Sequence, residues 1–184
     1  MTILIEGQNL VLREFREEDI DEFFKVVGDA EVMSLVGDNN PLSCARAQAW
    51  LNRSKMECEC GNPTTYAVCL KGSGEFVGYA GFSKSHARPQ ELEIIYGFKK
   101  EEWRKGYGKE AAHLLKTLAI NRFGLSVLWA TVDPLNEASI RILRTLGMEK
   151  VEDRVDENGL PEQLFCVRNE TDVQSHSPPS LQSF

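Results

Sequence analysis

Between Leu92 and Val155 the chain alternates strand-like, helix-like, strand-like, helix-like and strand-like segments, and no other feature constrains its fold as much. A strand that returns through a helix runs in its original direction, so this stretch implies parallel pairing at the centre of its sheet. Leu92–Phe98 supplies the first strand. The helix after it has a broad apolar face of Ala111, Ala112, Leu114, Leu115, Leu118, Ala119 and Phe123, with Gly124 as its stop. Val127–Val132 is the second strand, ended by Asp133-Pro134-Leu135. Asn136 caps a second helix bearing Ile140, Leu143 and Leu146, and Gly147 stands where a left-handed terminator belongs. Lys150–Val155 and Glu162–Val167 are the last strands, joined around Asn158-Gly159, a strong turn signal.

The first half of the chain has a different texture. Leu10-Val11-Leu12 is a short strand closed by Arg13. An acidic turn from Arg16 to Asp19 opens an amphipathic helix with Ile20, Phe23, Phe24 and Val27, and Glu31–Val36 reads as a second, short helix. Ser43 caps a third helix through Ala47, Trp50, Leu51 and Met56. Thr65–Leu70, Phe76–Phe82 and Leu92–Phe98 follow as an antiparallel meander. These segments predict one α+β domain with a mixed sheet over residues 1–168. Residues 169–184, with Ser175, Ser177, Pro178, Pro179 and Ser180, read as a disordered polar tail. A chain of 184 residues can bury such a core without disulfides or metals.

Composition removes several classes of function. The formal net charge of -7 argues against nucleic acid as a partner, because phosphate binding needs basic patches. It suits a cationic partner, although plain solubility is the commoner reason for such a charge. The five cysteines form no disulfide framework, and Cys58-Glu59-Cys60 is too tight for a zinc pair and has no matching Cys/His pair. No metal is expected. Reduced thiols point to a cytoplasmic protein. No stretch is long enough to span a membrane, and Met1–Glu6 lacks a basic start followed by a long apolar run.

The segment Lys105-Gly106-Tyr107-Gly108-Lys109-Glu110 joins the first strand of the alternating run to its apolar-faced helix. A helix start exposes unpaired N–H groups and partial positive charge, and glycines let those amides close around an anion. Arg104, Lys105 and Lys109 add charge, so the segment suits a pyrophosphate. Two familiar nucleotide loops fit it poorly. Ala111 takes the third-glycine place of Gly-x-Gly-x-x-Gly, and several strands precede the segment where that fingerprint follows a first strand. Gly108-Lys109 is not followed by Ser or Thr, as a Walker loop requires. Downstream, Asn136 is a helix cap. Ser139, a turn further in, faces either solvent or a ligand held between the two strand–helix units.

In this order the segments resemble the GNAT superfamily of N-acetyltransferases, and most closely its Rim-type branch, which includes ribosomal-protein N-terminal acetyltransferases. The likeness runs from about Asn9 to Val167. It begins with Asn9-Leu10-Val11-Leu12-Arg13 and the Glu18-Asp19 helix, and continues through Pro41–Leu51 with Ala47 and Trp50-Leu51. Glu93–Phe98 through Trp103–Ala111 looks like the acetyl-CoA motif, and Asn136, Ser139 and Leu146-Gly147-Met148 look like the following helix motif.

The resemblance implies a single-domain GNAT fold, with a mostly antiparallel sheet whose central parallel strands splay and are flanked by helices. It also implies an acetyl-CoA-dependent N-acetyltransferase. Its co-substrate would be held by Trp103, Arg104, Lys105, Gly106, Tyr107, Gly108 and Lys109, by the backbone at Phe98, and by Asn136 and Ser139. The acceptor would be a primary amine, on a peptide N-terminus or a small molecule, attacking the thioester directly. Glu93 is the expected base or substrate-holding carboxylate. Trp103 replaces the common Gln or Arg, as it does within the Rim-type branch, and Lys100 replaces a common proline. Leu143 falls where many relatives carry a tyrosine near the thiolate. The thiolate is then protonated by water or through Ser139, or leaves unassisted. The alternative is a non-catalytic acyl-CoA-binding module, a sensor or scaffold. Acceptor choice is expected from the N-terminal helices, from Asp29–Pro41 with Asp29, Glu31 and Asp38, and from the loops Ser83–Gln90 and Asp153–Pro161. A monomer or a homodimer fits equally.

Overall fold

The computed structural model describes residues 2–169 except 35, 38 and 89. The expected tail therefore lies, beyond Asn169, outside the described residues. The elements in chain order are β1 (Ile3–Glu6), β2 (Leu10–Arg13), α1 (Ile20–Val27), α2 (Ala30–Met33), α3 (Cys44–Glu59), β3 (Thr65–Leu70), β4 (Phe76–Lys84), β5 (Leu92–Phe98), α4 (Tyr107–Asn121), β6 (Val127–Val132), α5 (Glu137–Thr145), β7 (Glu149–Val155) and β8 (Pro161–Arg168). They build one sheet in the order β1-β2-β3-β4-β5-β6-β8-β7.

Neighbouring strands are antiparallel except β5 and β6, which run parallel as the α4 crossover demands. The second crossover ends differently. β8 inserts between β6 and β7, so β7 lies at the outer edge and pairs only with β8. Its residues are mostly charged and exposed, and its pairing shifts between Lys150 and Glu152. β1, which has no signal of its own in the sequence, forms the other edge through antiparallel pairing with β2.

Helices cover the two faces of the sheet unequally. On one face, α4 and α5 bury Ala111, Ala112, Leu115, Leu118 and Leu143 against Leu12, Val68, Ala80, Ile94, Phe98 and Ala130. On the other, α1, α2 and α3 bury Phe23, Val26, Val27, Met33, Ala47 and Leu51 against Ala67, Phe76 and Tyr79. Phe23, Trp50 and Tyr79 meet edge to face with ring centroids 5.2–5.7 Å apart, a geometry that satisfies the ring quadrupoles. Beside them the Arg13 guanidinium donates to both Asp19 carboxylate oxygens at 2.7 Å, and Arg16 N donates to the same carboxylate at 2.7 Å. This fork locks the end of β2 to the start of α1.

The caps stand where their residue types place them. Ser43 accepts from Arg46 N at 3.3 Å, and Asn136 accepts from Ser139 N at 3.0 Å. α2 is shorter than the expected Glu31–Val36. Asp29 caps it by accepting from Glu31 N and Val32 N, and by Val36 the chain has tightened into a turn in which Val36 N donates to Met33 O at 3.1 Å.

Candidate active site

The site begins where β5 and β6 part. Their pairing consists of a single register pair, Glu93 with Trp129, and the strands diverge beyond it. Lys99 N donates to Val77 O, and Tyr79 pairs with Gly97 and Gly81 with Ile95. Because antiparallel partners alternate, the odd-numbered residues of β5 spend their main-chain groups on β4. Tyr96 and Phe98 therefore turn theirs toward the opening gap. The Phe98 carbonyl accepts the Trp103 indole N–H at 3.0 Å, which clamps the following loop onto the strand end. What remains is a short free strand edge, able to pair with an extended ligand as another strand would.

The loop after Trp103 ends in the start of α4. Gly106 is the N-cap residue at φ 86°, a left-handed conformation that favours glycine, and Arg104 is also left-handed at φ 63°. The first helical bond runs from Glu110 N to Gly106 O at 3.1 Å. Main-chain N–H groups from Arg104 to Lys109 find no acceptor among the described residues. Arg104 and Lys109 are exposed beside them, while Lys105 pairs with Glu102 at 2.9 Å. Positive φ at Arg104 and Gly106, free amides and the helix start together make a concave anion site. Gly108 has a separate task. A Cβ there would meet Ile142 Cδ1 at 3.0 Å, so its missing side chain lets α4 approach α5.

Glu110 fixes this helix start to the sheet. It accepts from Asn9 N at 2.7 Å, Leu10 N at 3.0 Å and Asn9 Nδ2 at 2.9 Å. Burial alone would push its carboxyl up, but these donated bonds outweigh burial and hold it below the ordinary carboxylate range.

On the α4–α5 face, Ser139 is half-buried near the start of α5, with its own N–H held by the Asn136 side chain. Tyr96 points to this face between Ile94 and Phe98, and its hydroxyl is buried without a hydrogen-bond partner. Burial pushes its phenol up to about 12, and the neighbouring Ser139 side chain tempers the rise. Leu143 is 2% exposed in the core, so α5 offers no tyrosine at that place. The phenol on this face comes from β5, at Tyr96, which the sequence analysis does not single out. The signal was the alternation along β5, which puts residues 94, 96 and 98 on one face.

On the opposite face, Glu93 and Trp129 lie at the base of the gap, each 7% exposed. Glu93 Oε1 and Trp129 Nε1 are buried with no partner. The Arg88 guanidinium stacks 5.2 Å above the Trp129 ring. Glu162 is nearby and ion-pairs with Arg154 at 2.8 Å. Burial pushes the Glu162 carboxyl up, Arg154 pulls it back, and Glu93 adds to the rise. The acidic groups expected to greet an acceptor are otherwise engaged: Asp29 caps α2 and Glu31 pairs with Lys100. Asp38 lies outside the described residues.

The structure thus brings Phe98, Trp103 and Arg104–Lys109 together at one end of the gap, with Asn136 and Ser139 on its α4–α5 face and Glu93 at its base on the other. The free edge, the unpaired amides and the orphaned Tyr96 hydroxyl fit an elongated ligand with an anionic end. Among the described residues no three His, Cys, Asp or Glu side chains are placed to hold a metal ion, and no helix is long and apolar enough to cross a membrane.

Comparison with known proteins agrees with this geometry. The family model described as an acetyltransferase (GNAT) domain matches residues 9–149. The uncharacterised N-acetyltransferase YoaA of Bacillus subtilis is 25% identical over 147 residues, covering 80% of this chain and 83% of that protein. A GNAT-family acetyltransferase from Bacillus anthracis superposes with a TM-score of 0.77 at 22% identity, over 90% of this chain and 98% of its own. RimL, a ribosomal L7/L12 alpha-N-protein acetyltransferase solved with coenzyme A, superposes with a TM-score of 0.76 at 13% identity, over 93% of this chain and 100% of its own.

Proposed function

The chain belongs to the GNAT acetyltransferase family, and from that premise we propose that it transfers an acetyl group from acetyl-CoA to a primary amine, with the residues around the β5–β6 gap doing the work. The observation that carries this reading is the row of free amides from Arg104 to Lys109 at one end of a free strand edge. Those amides, with Arg104 and Lys109, hold the pyrophosphate. The exposed edge at Tyr96 and Phe98 pairs with the pantetheine arm, and Trp103 keeps the loop in register through the Phe98 carbonyl. Acetyl-CoA supplies an activated acyl carbon and a thiolate leaving group.

The protein's own contribution is position, charge and proton handling. Holding both reactants in one gap removes much of the entropic barrier, about 7–11 kcal/mol in well-oriented intramolecular systems. The Phe98 N–H faces the gap and is placed to stabilise negative charge on the acyl oxygen. Glu93, at the base of the gap with an unpartnered oxygen, takes the proton of the incoming ammonium directly or through a water. Asn136 keeps Ser139 at the mouth of α5. The acceptor approaches from the face of Glu93, Trp129, Arg88 and Glu162. A protein α-amine is one acceptor this reading admits, since RimL acts on one; a small amine is the other.

Calorimetry with coenzyme A, followed by an acceptor screen with acetyl-CoA and mass analysis of the products, tests the reading. Heat with coenzyme A and an N-acetylated product support it. No heat removes it. Binding without turnover on any amine or peptide would leave the alternative of an acyl-CoA-binding module, which the buried Leu143 in place of a tyrosine favours.

A further inference from the structure

We propose that Tyr96 is a positioning residue for the leaving sulfur: its buried phenol directs the Ser139 hydroxyl, and Ser139 in turn donates to the thiolate. This rests on the acetyl-CoA reading above. Two independent features of the structure carry it. The first is the orphaned hydroxyl. Tyr96 Oη is buried and has no hydrogen-bond partner, although buried hydroxyls nearly always have one. Leaving it so is unfavourable, and nearby packing does not require it, since phenylalanine would fill the same space. The second is placement. Residue parity puts Tyr96 on the α4–α5 face of the gap and Glu93 on the opposite face. A group that receives the ammonium proton and a group that serves the sulfur are thereby kept apart by the sheet itself.

Ser139 is the polar side chain whose proximity is felt at Tyr96; both residues are half-buried, and the Tyr96 hydroxyl oxygen itself is buried. The order of the two hydroxyls follows from the enclosure of the phenol oxygen. The inner phenol stays neutral across the physiological range, and with coenzyme A bound it turns its unused hydrogen to Ser139 Oγ. With an oxygen lone pair so occupied, the Ser139 hydroxyl turns its own hydrogen outward, toward the gap. Negative charge on sulfur then meets an oriented donor rather than a freely rotating one. The buried Leu143 leaves α5 without a phenol of its own, and the phenol comes from β5 instead.

Coenzyme A itself is the probe. Its bound thiol is titrated by thiolate absorbance, as the difference between the coenzyme A and desulfo-coenzyme A complexes, with calorimetry giving affinity in parallel. A donated hydrogen bond favours the charged form, so the bound thiol should ionise below the free one. Tyr96→Phe should raise that value by about one pH unit while affinity changes less than threefold. Ser139→Ala should raise it as much, and the double variant no further, because the two act in series. A merely structural tyrosine would move affinity or melting temperature and leave the thiol titration in place. If Tyr96→Phe binds coenzyme A and titrates as the parent does, the proposal is overturned. If Tyr96→Phe does not fold, protein made with 3-fluorotyrosine supplies the second measurement. The more acidic phenol should lower the bound thiol pKa, and an unmoved or raised value overturns the proposal. No heat with coenzyme A in the parent protein would instead remove the acetyl-CoA reading, and this inference with it.

Discussion

Glu93 and Trp129 form the single register pair that joins β5 to β6, and each carries a buried polar atom with no partner, one an acceptor and the other a donor. The sheet is thus at its weakest where its most exceptional polar groups are. Glu93→Gln keeps the volume of the side chain and removes its capacity to take a proton. Turnover of an identified acceptor should fall about 10²–10⁴-fold, with affinity for coenzyme A retained. Initial rates measured across pH check this, and a profile identical to the parent's would exclude Glu93 as the base.

Gly106 and Gly108 are close neighbours in the motif and opposite in what they demand. Gly106 is at φ 86° with open space where a Cβ would stand, so alanine meets no atom there and suffers only the left-handed backbone penalty. Gly106→Ala should lose about 1–2 kcal/mol of stability and bind coenzyme A more weakly. Gly108 is helical, and a Cβ would press on the flexible tip of Ile142 at 3.0 Å and lie in ordinary contact with the Phe98 ring at 3.8 Å. Gly108→Ala gains helix propensity of about 1 kcal/mol against that contact, and should melt within a degree or two of the parent. Thermal melts of the two variants side by side decide the matter.

Glu110 holds Asn9 and Leu10 by accepting three hydrogen bonds from them, and its carboxyl is held low. A carboxylate with a depressed folded pKa stabilises the fold above its ordinary range, and that stabilisation disappears as pH falls through the folded value. Glu110→Gln should therefore cost about 1.5–3 kcal/mol at pH 7. The difference from the parent should narrow below the ordinary carboxylate value of 4.5. Urea unfolding at neutral and acid pH would show this, and a difference independent of pH would contradict it.

Asp19 faces a guanidinium that is 5% exposed. Asp19→Ala would leave Arg13 buried with its charge unmatched, which costs about 3–5 kcal/mol in comparable sites. The denaturation midpoint should fall accordingly. Replacing Arg13 and Asp19 together with apolar residues of similar size should recover much of the loss.

Trp103→Phe keeps an aromatic ring on the loop and removes its bond to the Phe98 carbonyl. Stability should drop by about 0.5–1.5 kcal/mol. Coenzyme A should bind more weakly through faster release, because the loop that presents the amides has lost its tether. Stopped-flow dissociation rates would reveal it.

The parts of this fold that were legible in the sequence are those fixed by local chemistry. Ser43 and Asn136 cap the helices that follow them because a short polar side chain reaches the nearest free amides. The apolar spacing of α4 and the left-handed Gly147 are equally local. What was hidden depends on distant partners. β1 is four residues of edge strand whose existence depends on β2. β8 inserts inside β7 because of how the last hairpin folds back, which no window of sequence records. The relation of Tyr96 to Ser139 needs both the parity of β5 and the docking of α5. The motif residues Trp103–Lys109 stand out one by one as candidates, but the free edge beside them arises only from the divergence of two strands.

β7 has a further consequence. An open sheet ends in rows of unsatisfied main-chain groups, a template on which a second molecule could extend it indefinitely. Here five of seven residues in the terminal strand are charged, and its ladder slips at Lys150. An approaching chain would have to match that irregular spacing while stripping water from both signs of charge. The β7 edge therefore resists fibrous growth by strand addition, whereas the gap between β5 and β6 presents a short edge without such a guard.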